Sequence, residues 1–394
     1  MVNANMLKLG TNRSCIRELF EYGLRQAAVV GRENVFDYSI GNPSIPAPAV
    51  VNESLIDIVS HTDSLAVHGY TPAPGLPDVR EAVAQELSER YGSAIRGANL
   101  FFTCGAAPAL IAVLRALTVE DTEFIAIAPF FPEYRPFAEA NGAKLVVVPA
   151  DIPSFQIDWE ALDSCINERT QAVIVNTPNN PSGVIYTRET LEKLAALLTR
   201  KGGEYGHPIY VVADEPYREL AYDGAEVPFI PSVYRNTIVC YSYSKSLSLP
   251  GERIGYVCVP DWVEDSAAVF AAIAGAARAS GHVCAPALLQ RVVARCTHAR
   301  PDVAAYDENR TLLYDALTSY GYDCVKPTGA FYMFVKAPGG SAKAFSDRAK
   351  EKNLLVVPGD DFGVPEYFRI CTCVSKNMIL RSLPAFRAVL EEFR

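Results

Sequence analysis

The chain has 394 residues, 49% of them hydrophobic and 21% charged, with a formal net charge of −9. That length and balance suit a soluble globular protein with more than one core region, and the acidity argues against a nucleic-acid surface, which needs clustered Lys and Arg. Ten cysteines without a C-x-x-C pair favour a reducing compartment over a disulfide framework, and five histidines without ligand spacing give no metal site. The opening Met1-Val2-Asn3-Ala4-Asn5 lacks the pattern of a signal peptide, and no run of about 18 apolar residues marks a membrane span. A cytoplasmic protein is expected.

In chain order, Ser14–Val30 reads as an amphipathic helix, followed by an extended, proline-bearing stretch from Asp37 to Pro48. Seven short apolar runs come next: Leu100–Cys104, Glu123–Ala128, Lys144–Pro149, Ala172–Asn176, Ile209–Asp214, Thr237–Ser242 and Ile254–Val259. Most are apolar throughout, as strands covered on both faces should be. Helix-length segments such as Ala107–Leu117 and Thr187–Thr199 separate several of them. The alternation predicts an α/β domain with a mostly parallel seven-stranded sheet over residues 43–285. From 286 the pattern becomes one helix (Pro286–Tyr320), strands near Phe331–Val335, Leu354–Val356 and Tyr367–Thr372, and a closing helix from about Ser375. Residues 1–42 and 286–394 are therefore expected to form a smaller α+β domain.

The chemically distinctive residues fall just after the apolar runs, at the strand edge where an open α/β sheet keeps its ligand crevice. Lys245 lies in Ser242-Tyr243-Ser244-Lys245-Ser246, past the sixth run. Burial disfavours an ammonium, so an enclosed lysine becomes an amine able to attack a carbonyl, although most lysines are solvated surface residues. Gly105-Ala106-Ala107 lets backbone N–H groups approach a phosphate, and Arg253 offers a planar fork for one. Phe131 suits stacking on a ring, or plain core. Asp214 suits pairing with a ring nitrogen, or capping a helix. Asn180 and Tyr217 supply hydrogen bonds for a ring hydroxyl, though Asn-Pro-Ser-Gly is also a common turn.

From about Cys15 to Ile370 the chain resembles the pyridoxal-phosphate aminotransferases of classes I and II, the aspartate-aminotransferase-like fold. The motifs appear in that family's order: Gly41-Asn42-Pro43, Tyr70 with Leu76 and Arg80-Glu81-Ala82, Gly105-Ala106-Ala107, Asn179-Asn180-Pro181-Ser182-Gly183, Asp214 with Tyr217, Ser242-x-Ser244-Lys245 with Arg253-x-Gly255, Gly329-Ala330-Phe331-Tyr332, and Pro358-Gly359 with Phe362-Gly363. The resemblance implies a three-layer large domain and a small domain. It makes Lys245 the Schiff-base lysine and proton shuttle, Asp214 the partner of the pyridine nitrogen, and Asn180 and Tyr217 the contacts of the ring oxygen. It places Phe131 on the ring and Ser242, Ser244, Arg253 and Gly105–Ala107 around the phosphate. Arg369 becomes the grip on the substrate α-carboxylate, with Gly41 and Asn180 beside it. Tyr70 matches a tyrosine that reaches the neighbouring subunit's phosphate, which implies a homodimer with shared sites.

The implied reaction moves an amino group between an L-amino acid and a 2-oxo acid by ping-pong kinetics. Ala106 and Ala107 stand where some relatives carry a hydroxyl or a lysine that meets a second carboxylate. Arg17, Arg25 and Arg278 are candidate distal arginines, or surface residues; an aspartate or an aromatic and broad specificity both remain open. The alternative on the same fold is a C–S β-lyase. A regulatory cofactor binder would need a further module beyond the roughly forty residues before Asn42, and a nicotinamide dehydrogenase would need a G-x-G-x-x-G after a strand, which is absent.

Overall fold

The structure, a computed structural model, describes residues 1–11 and 14–394. Among the described residues there are twelve strands. β1 is Phe36–Asp37, β2 Leu100–Thr103, β3 Glu123–Ile127, β4 Lys144–Val148, β5 Thr170–Asn176 and β6 Tyr210–Asp214. β7 is Thr237–Ser242, β8 Gly255–Cys258, β9 Tyr332–Lys336, β10 Leu354–Leu355, β11 Val357–Pro358 and β12 Tyr367–Cys371. β2 to β8 correspond to the seven apolar runs and form one sheet in the order β2-β8-β7-β6-β5-β3-β4. Every residue of β2, β3, β6, β7 and β8 is buried, which is why those runs carry no polar alternation. β4, at one edge, exposes Lys144.

Only β8 runs against its neighbours, pairing antiparallel with both β7 and β2. The chain returns from Ser242 to Gly255 through a short loop rather than a crossover helix, and a short return can only give an antiparallel pair. The carboxyl ends of β2, β3, β5, β6 and β7 therefore share one edge, and the five distinctive loops emerge there together.

Helices cover both faces. Ser266–Ala279, not anticipated from the sequence, packs across Ala106–Leu117. Both are rich in alanine, so their axes approach closely. The expected single helix over Pro286–Tyr320 is instead two, Ala287–Arg295 and Val303–Tyr320. Pro301 stands in the break, where a proline would cost a continuous helix a hydrogen bond, and Asp302 caps the second helix by accepting from the Ala305 N–H. Ala287–Arg295 packs on Ala49–His61 and Pro77–Tyr91, and its Leu289, Val292 and Val293 join the core of the large sheet.

A smaller body gathers β9, β11 and β12 as an antiparallel sheet, with β1 beside β10 in parallel. Its core runs from Leu313 to Leu390 and includes one residue from the other end of the chain, Tyr38. Tyr38 is fully buried, meets Phe386 at a ring separation of 5.6 Å and bonds Ser382 Oγ at 2.7 Å. The extended stretch after β1 is thus anchored in the C-terminal body while it passes the crevice. No described helix is long and apolar enough to cross a membrane.

Candidate active site

A cavity of about 370 Å³ opens at the shared strand edge. Its walls bring together Gly41, Ala106, Ala107, Phe131, Asn180, Asp214, Tyr217, Ser242, Ser244, Lys245, Arg253 and Arg369, all singled out in the sequence. Gly105 lies behind this wall. Tyr70 does not line the cavity and is 89% exposed.

One end is built to receive an anion. Gly105, at φ +98°, follows β2 and caps the helix Ala106–Leu117, whose first residues, Ala106 and Ala107, line the cavity with N–H groups that have no partner inside the helix. That φ favours glycine, and a Cβ would also stand 2.5 Å from Arg253 Nη2 and displace the guanidinium. Arg253 is held in the left-handed region at φ +54°, where its Nη1 donates to Pro250 O at 2.8 Å and to Ser244 Oγ at 3.3 Å. Ser242 Oγ accepts the Ser244 N–H and lies 2.8 Å from Ser244 Oγ. Two hydroxyls, a guanidinium and a helix start converge on one corner.

The floor is Asp214, the last residue of β6, with 5% of its surface exposed. Tyr134 OH donates to its Oδ2 at 2.6 Å, while Oδ1 is buried without a partner. Burial pushes the carboxyl up to about 7; the Tyr134 bond opposes that rise and the neighbouring Glu215 adds to it. Asn176, opposite it on β5, fixes this strand end: Nδ2 donates to Asp214 O at 2.8 Å and Oδ1 accepts the Asn180 N–H at 2.7 Å. Phe131 stands edge-on to Tyr134, with ring centroids 5.7 Å apart.

Above them Lys245 sits in the single turn Tyr243–Ser246. Its Nζ donates to Gly41 O at 2.6 Å and lies 5.4 Å from the Phe331 ring. Burial pushes its ammonium down from the ordinary lysine range; the thiols of Cys373 and Cys371 oppose the shift, and Arg253 and Arg369 add to it. Gly41 must be glycine, since a Cβ would overlap the Tyr332 hydroxyl.

Arg369 extends from the middle of β12. Nη1 donates to Asn180 Oδ1 at 3.0 Å, Nη2 donates to the Ser39 carbonyl, and Nε is buried with no partner. Its guanidinium lies over the rings of Tyr332 (4.7 Å) and Phe362 (5.2 Å), which hold the plane of the fork. Tyr217 OH is 2.9 Å from Tyr332 OH. The remaining wall is largely apolar, with Ile16, Ile40 and Leu110. Among the described residues, the cations of the wall are Lys245, Arg253 and Arg369; Arg17, Arg25 and Arg278 are not part of it.

Tyr134 and Asn176 carry no assignment from the sequence. Asn176 had a visible signal, as a polar side chain ending an apolar strand at the crevice edge. Tyr134 closes the distinctive loop after the second apolar run, Pro129–Tyr134, but nothing local pairs it with Asp214, 80 residues away.

Comparison with known proteins follows the same lines. The family model for aminotransferase class I and II matches residues 33–385. The aromatic-amino-acid aminotransferase 2 of Thermococcus litoralis is 28% identical over 97% of this chain and 96% of its own. The aspartate/prephenate aminotransferase of Thermus thermophilus is 29% identical over 89% of each. Among solved structures, an aminotransferase from Eubacterium rectale is 54% identical with a TM-score of 0.98, covering 100% of this chain and 99% of that one. The Thermus thermophilus aspartate aminotransferase with maleate is 25% identical with a TM-score of 0.87, covering 99% and 100%. Aminotransferases of this family use pyridoxal phosphate and exchange amino groups between amino acids and 2-oxo acids. The chain belongs to the class I and II aminotransferases.

Proposed function

We propose that the cavity holds pyridoxal phosphate and that this chain transfers the amino group of an aspartate-like or aromatic L-amino acid to a 2-oxo acid. The observation that carries this reading is Asp214 Oδ1, a buried carboxylate oxygen without a partner on the cavity floor. A buried polar atom is normally satisfied, so an orphan facing a cavity marks where a ligand donor belongs. The protonated ring nitrogen of the cofactor is such a donor. The phosphate would take the corner formed by Gly105–Ala107, Ser242, Ser244 and Arg253, and Phe131 would lie against the ring. Asn180 and Tyr217 are available to the ring oxygen.

When bound, the cofactor supplies a carbonyl carbon for an amine and a ring that withdraws electrons. The chain's own residues do the rest. Arg369 presents the free Nε and its neighbouring N–H to the α-carboxylate, a bidentate grip that fixes the substrate's orientation. Lys245, poorly stabilised as an ammonium, gives up its bond to Gly41 O and carries the α-proton on Nζ. Ile16, Ile40 and Leu110 limit access of water.

The relatives act on aspartate, prephenate or aromatic amino acids by name, and the largely apolar wall supports an aromatic side chain. We also propose two domains, one around the large sheet and one around the C-terminal body, with residues 286–296 packing on the larger. A homodimer is supported by Tyr70 and by neighbouring apolar side chains left open, Ile56 and Leu65 among them. The free cysteines suit the cytoplasm.

The test is a half-reaction screen. The protein with pyridoxal phosphate should show a visible absorption band that each true donor bleaches, releasing its 2-oxo acid. Lys245→Ala should lose that band and at least about 10⁴-fold in transamination while remaining folded by circular dichroism. A protein with no band after cofactor addition would refute the reading. Pyruvate and ammonia released without amine transfer would replace it with a β-lyase.

A further inference from the structure

Lys245 and Arg369 are far apart in sequence, yet both donate to one three-residue segment. Gly41 O accepts Lys245 Nζ, and Ser39 O accepts Arg369 Nη2. Whatever sets the backbone of Ser39–Gly41 sets how both cations are presented to the cavity. Two devices fix its approach. Tyr38 is tied to the C-terminal body, its N–H donating to Leu355 O at 3.0 Å and its carbonyl accepting the Cys371 N–H at 3.1 Å. Asp37 then turns the chain: its Oδ1 accepts both the Ser39 N–H at 2.9 Å and the Ser39 Oγ–H at 2.6 Å. Ser39 is fully buried, so without that oxygen two donors would be left in the interior with no solvent to satisfy them.

The room for this carboxylate is built in. It stands outside the active cavity, on the wall of an adjoining groove, and Ile40 borders both. On the helix Cys15–Val30, Gly23 faces it: a Cβ there would come to 3.2 Å from Asp37 Oδ2 and 2.8 Å from Leu355 Cδ1. Burial alone pushes Asp37 up from the ordinary carboxylate range, and the two bonds from Ser39 work against that.

We propose that Asp37 is a positioning residue for the substrate carboxylate site, acting through Ser39 to aim the guanidinium of Arg369. The proposal rests on the reading of Arg369 as the α-carboxylate grip. It gives a signature that a side-chain pocket or a general loss of stability would not. Because every donor and acceptor shares the α-carboxylate, misaiming Arg369 must weaken all of them by one common factor.

The experiment uses full-length protein loaded with pyridoxal phosphate. Asp37→Ala should raise KM about tenfold for the amino donor and for the 2-oxo acid acceptor alike, with kcat within about threefold of the parent. Asp37→Asn keeps an oxygen able to accept both Ser39 bonds and should restore KM to within about twofold. An unchanged KM in Asp37→Ala, a rise confined to one substrate, or no rescue by asparagine would each overturn the proposal. If Asp37→Ala does not yield folded protein, Ser39→Ala carries the test by removing the 2.6 Å bond alone. A KM rise of about threefold is then expected, and no change overturns the proposal. Arg369→Lys is measured alongside. If it leaves KM unchanged, the carboxylate-grip reading fails; if it raises KM while Asp37→Ala does not, only the role of Asp37 fails.

Discussion

Asp214 and Glu215 are consecutive, both buried, and face opposite sides of the sheet's edge, yet the protein treats them in opposite ways. Glu215 is matched. Arg218 Nε donates to its Oε2 at 2.7 Å, with Nη2 2.6 Å from the same oxygen, and the guanidinium also reaches Tyr256 OH at 3.1 Å and stacks over Tyr241 at 4.6 Å. Burial pushes Glu215 up and the Arg218 charge pulls it back. Asp214 has one tyrosine hydroxyl in place of a cation, a neighbour of its own sign, and an orphan oxygen at the wall of the cavity. A charge paired with a buried cation stays where folding put it. A charge left uncompensated beside a cavity is available to a ligand, at a cost to the unliganded fold.

The largest expected effect comes from removing the uncompensated charge. Asp214→Asn should lower kcat/KM on the order of 10³-fold, since it takes away the anion that keeps the bound ring electron-poor. The same substitution should stabilise the cofactor-free protein. The Asp214 carboxyl is raised in the folded state from 3.8 to about 7, so the fold holds that proton more tightly than the unfolded chain does. Its penalty is absent below pH about 3.8, grows through the window up to about 7, and is complete above it. The parent should therefore lose stability as pH rises through that window, by up to about 4 kcal/mol, and Asp214→Asn should not. Urea unfolding of both cofactor-free proteins between pH 5 and 8.5 reads this directly. Parallel curves would mean that Asp214 is not burdened by its site.

On the other face the expectation reverses. Arg218→Met leaves Glu215 buried without its cation and should cost about 3 kcal/mol of unfolding free energy, with kcat and KM for the loaded enzyme within about threefold. Adding Glu215→Gln to it should recover part of the loss, because the orphaned charge goes with it. Loss of activity in Arg218→Met comparable to that in Asp214→Asn would break the contrast between the two faces.

This contrast also marks how far the sequence could be read. Strands covered on both faces are apolar almost throughout, so β2, β3, β5, β6, β7 and β8 stand out as runs, and the ends of β5, β6 and β7 with the loops after them carry Asn180, Asp214, Lys245 and Arg253 to one edge. Local chemistry fixed those positions. The partners were different. Ser39 for Arg369, Gly41 for Lys245 and Tyr134 for Asp214 are separated by 330, 204 and 80 residues. The first two pairs meet because the stretch after β1 is pinned by Tyr38 into a core assembled from the other end of the chain, and the third because β3 and β6 lie in one sheet. The break between Arg295 and Val303 does carry a local signal, since Pro301 interrupts a helix and Asp302 caps the next one. Tertiary packing then assigns the two halves to different cores, which no local pattern shows.

The smallest and most diagnostic change is at Tyr134, whose hydroxyl is the one group restraining Asp214 among the influences that move it most. Tyr134→Phe keeps the ring against Phe131 and deletes only the 2.6 Å bond to Oδ2. A hydrogen bond to a charged acceptor contributes about 1.5–3 kcal/mol, so fewer Asp214 side chains will be ionised at a given pH. The Tyr134 bond lowers the Asp214 carboxyl toward about 7, and losing it must raise it. Pyridoxal phosphate should bind best where Asp214 is an anion, so its affinity should weaken as pH falls through that value. In Tyr134→Phe the same fall should begin at higher pH, leaving affinity near parental at the alkaline end and about tenfold weaker near neutrality. Titrating cofactor binding by absorbance from pH 6 to 9 separates this from a packing defect, which would lower affinity equally at every pH.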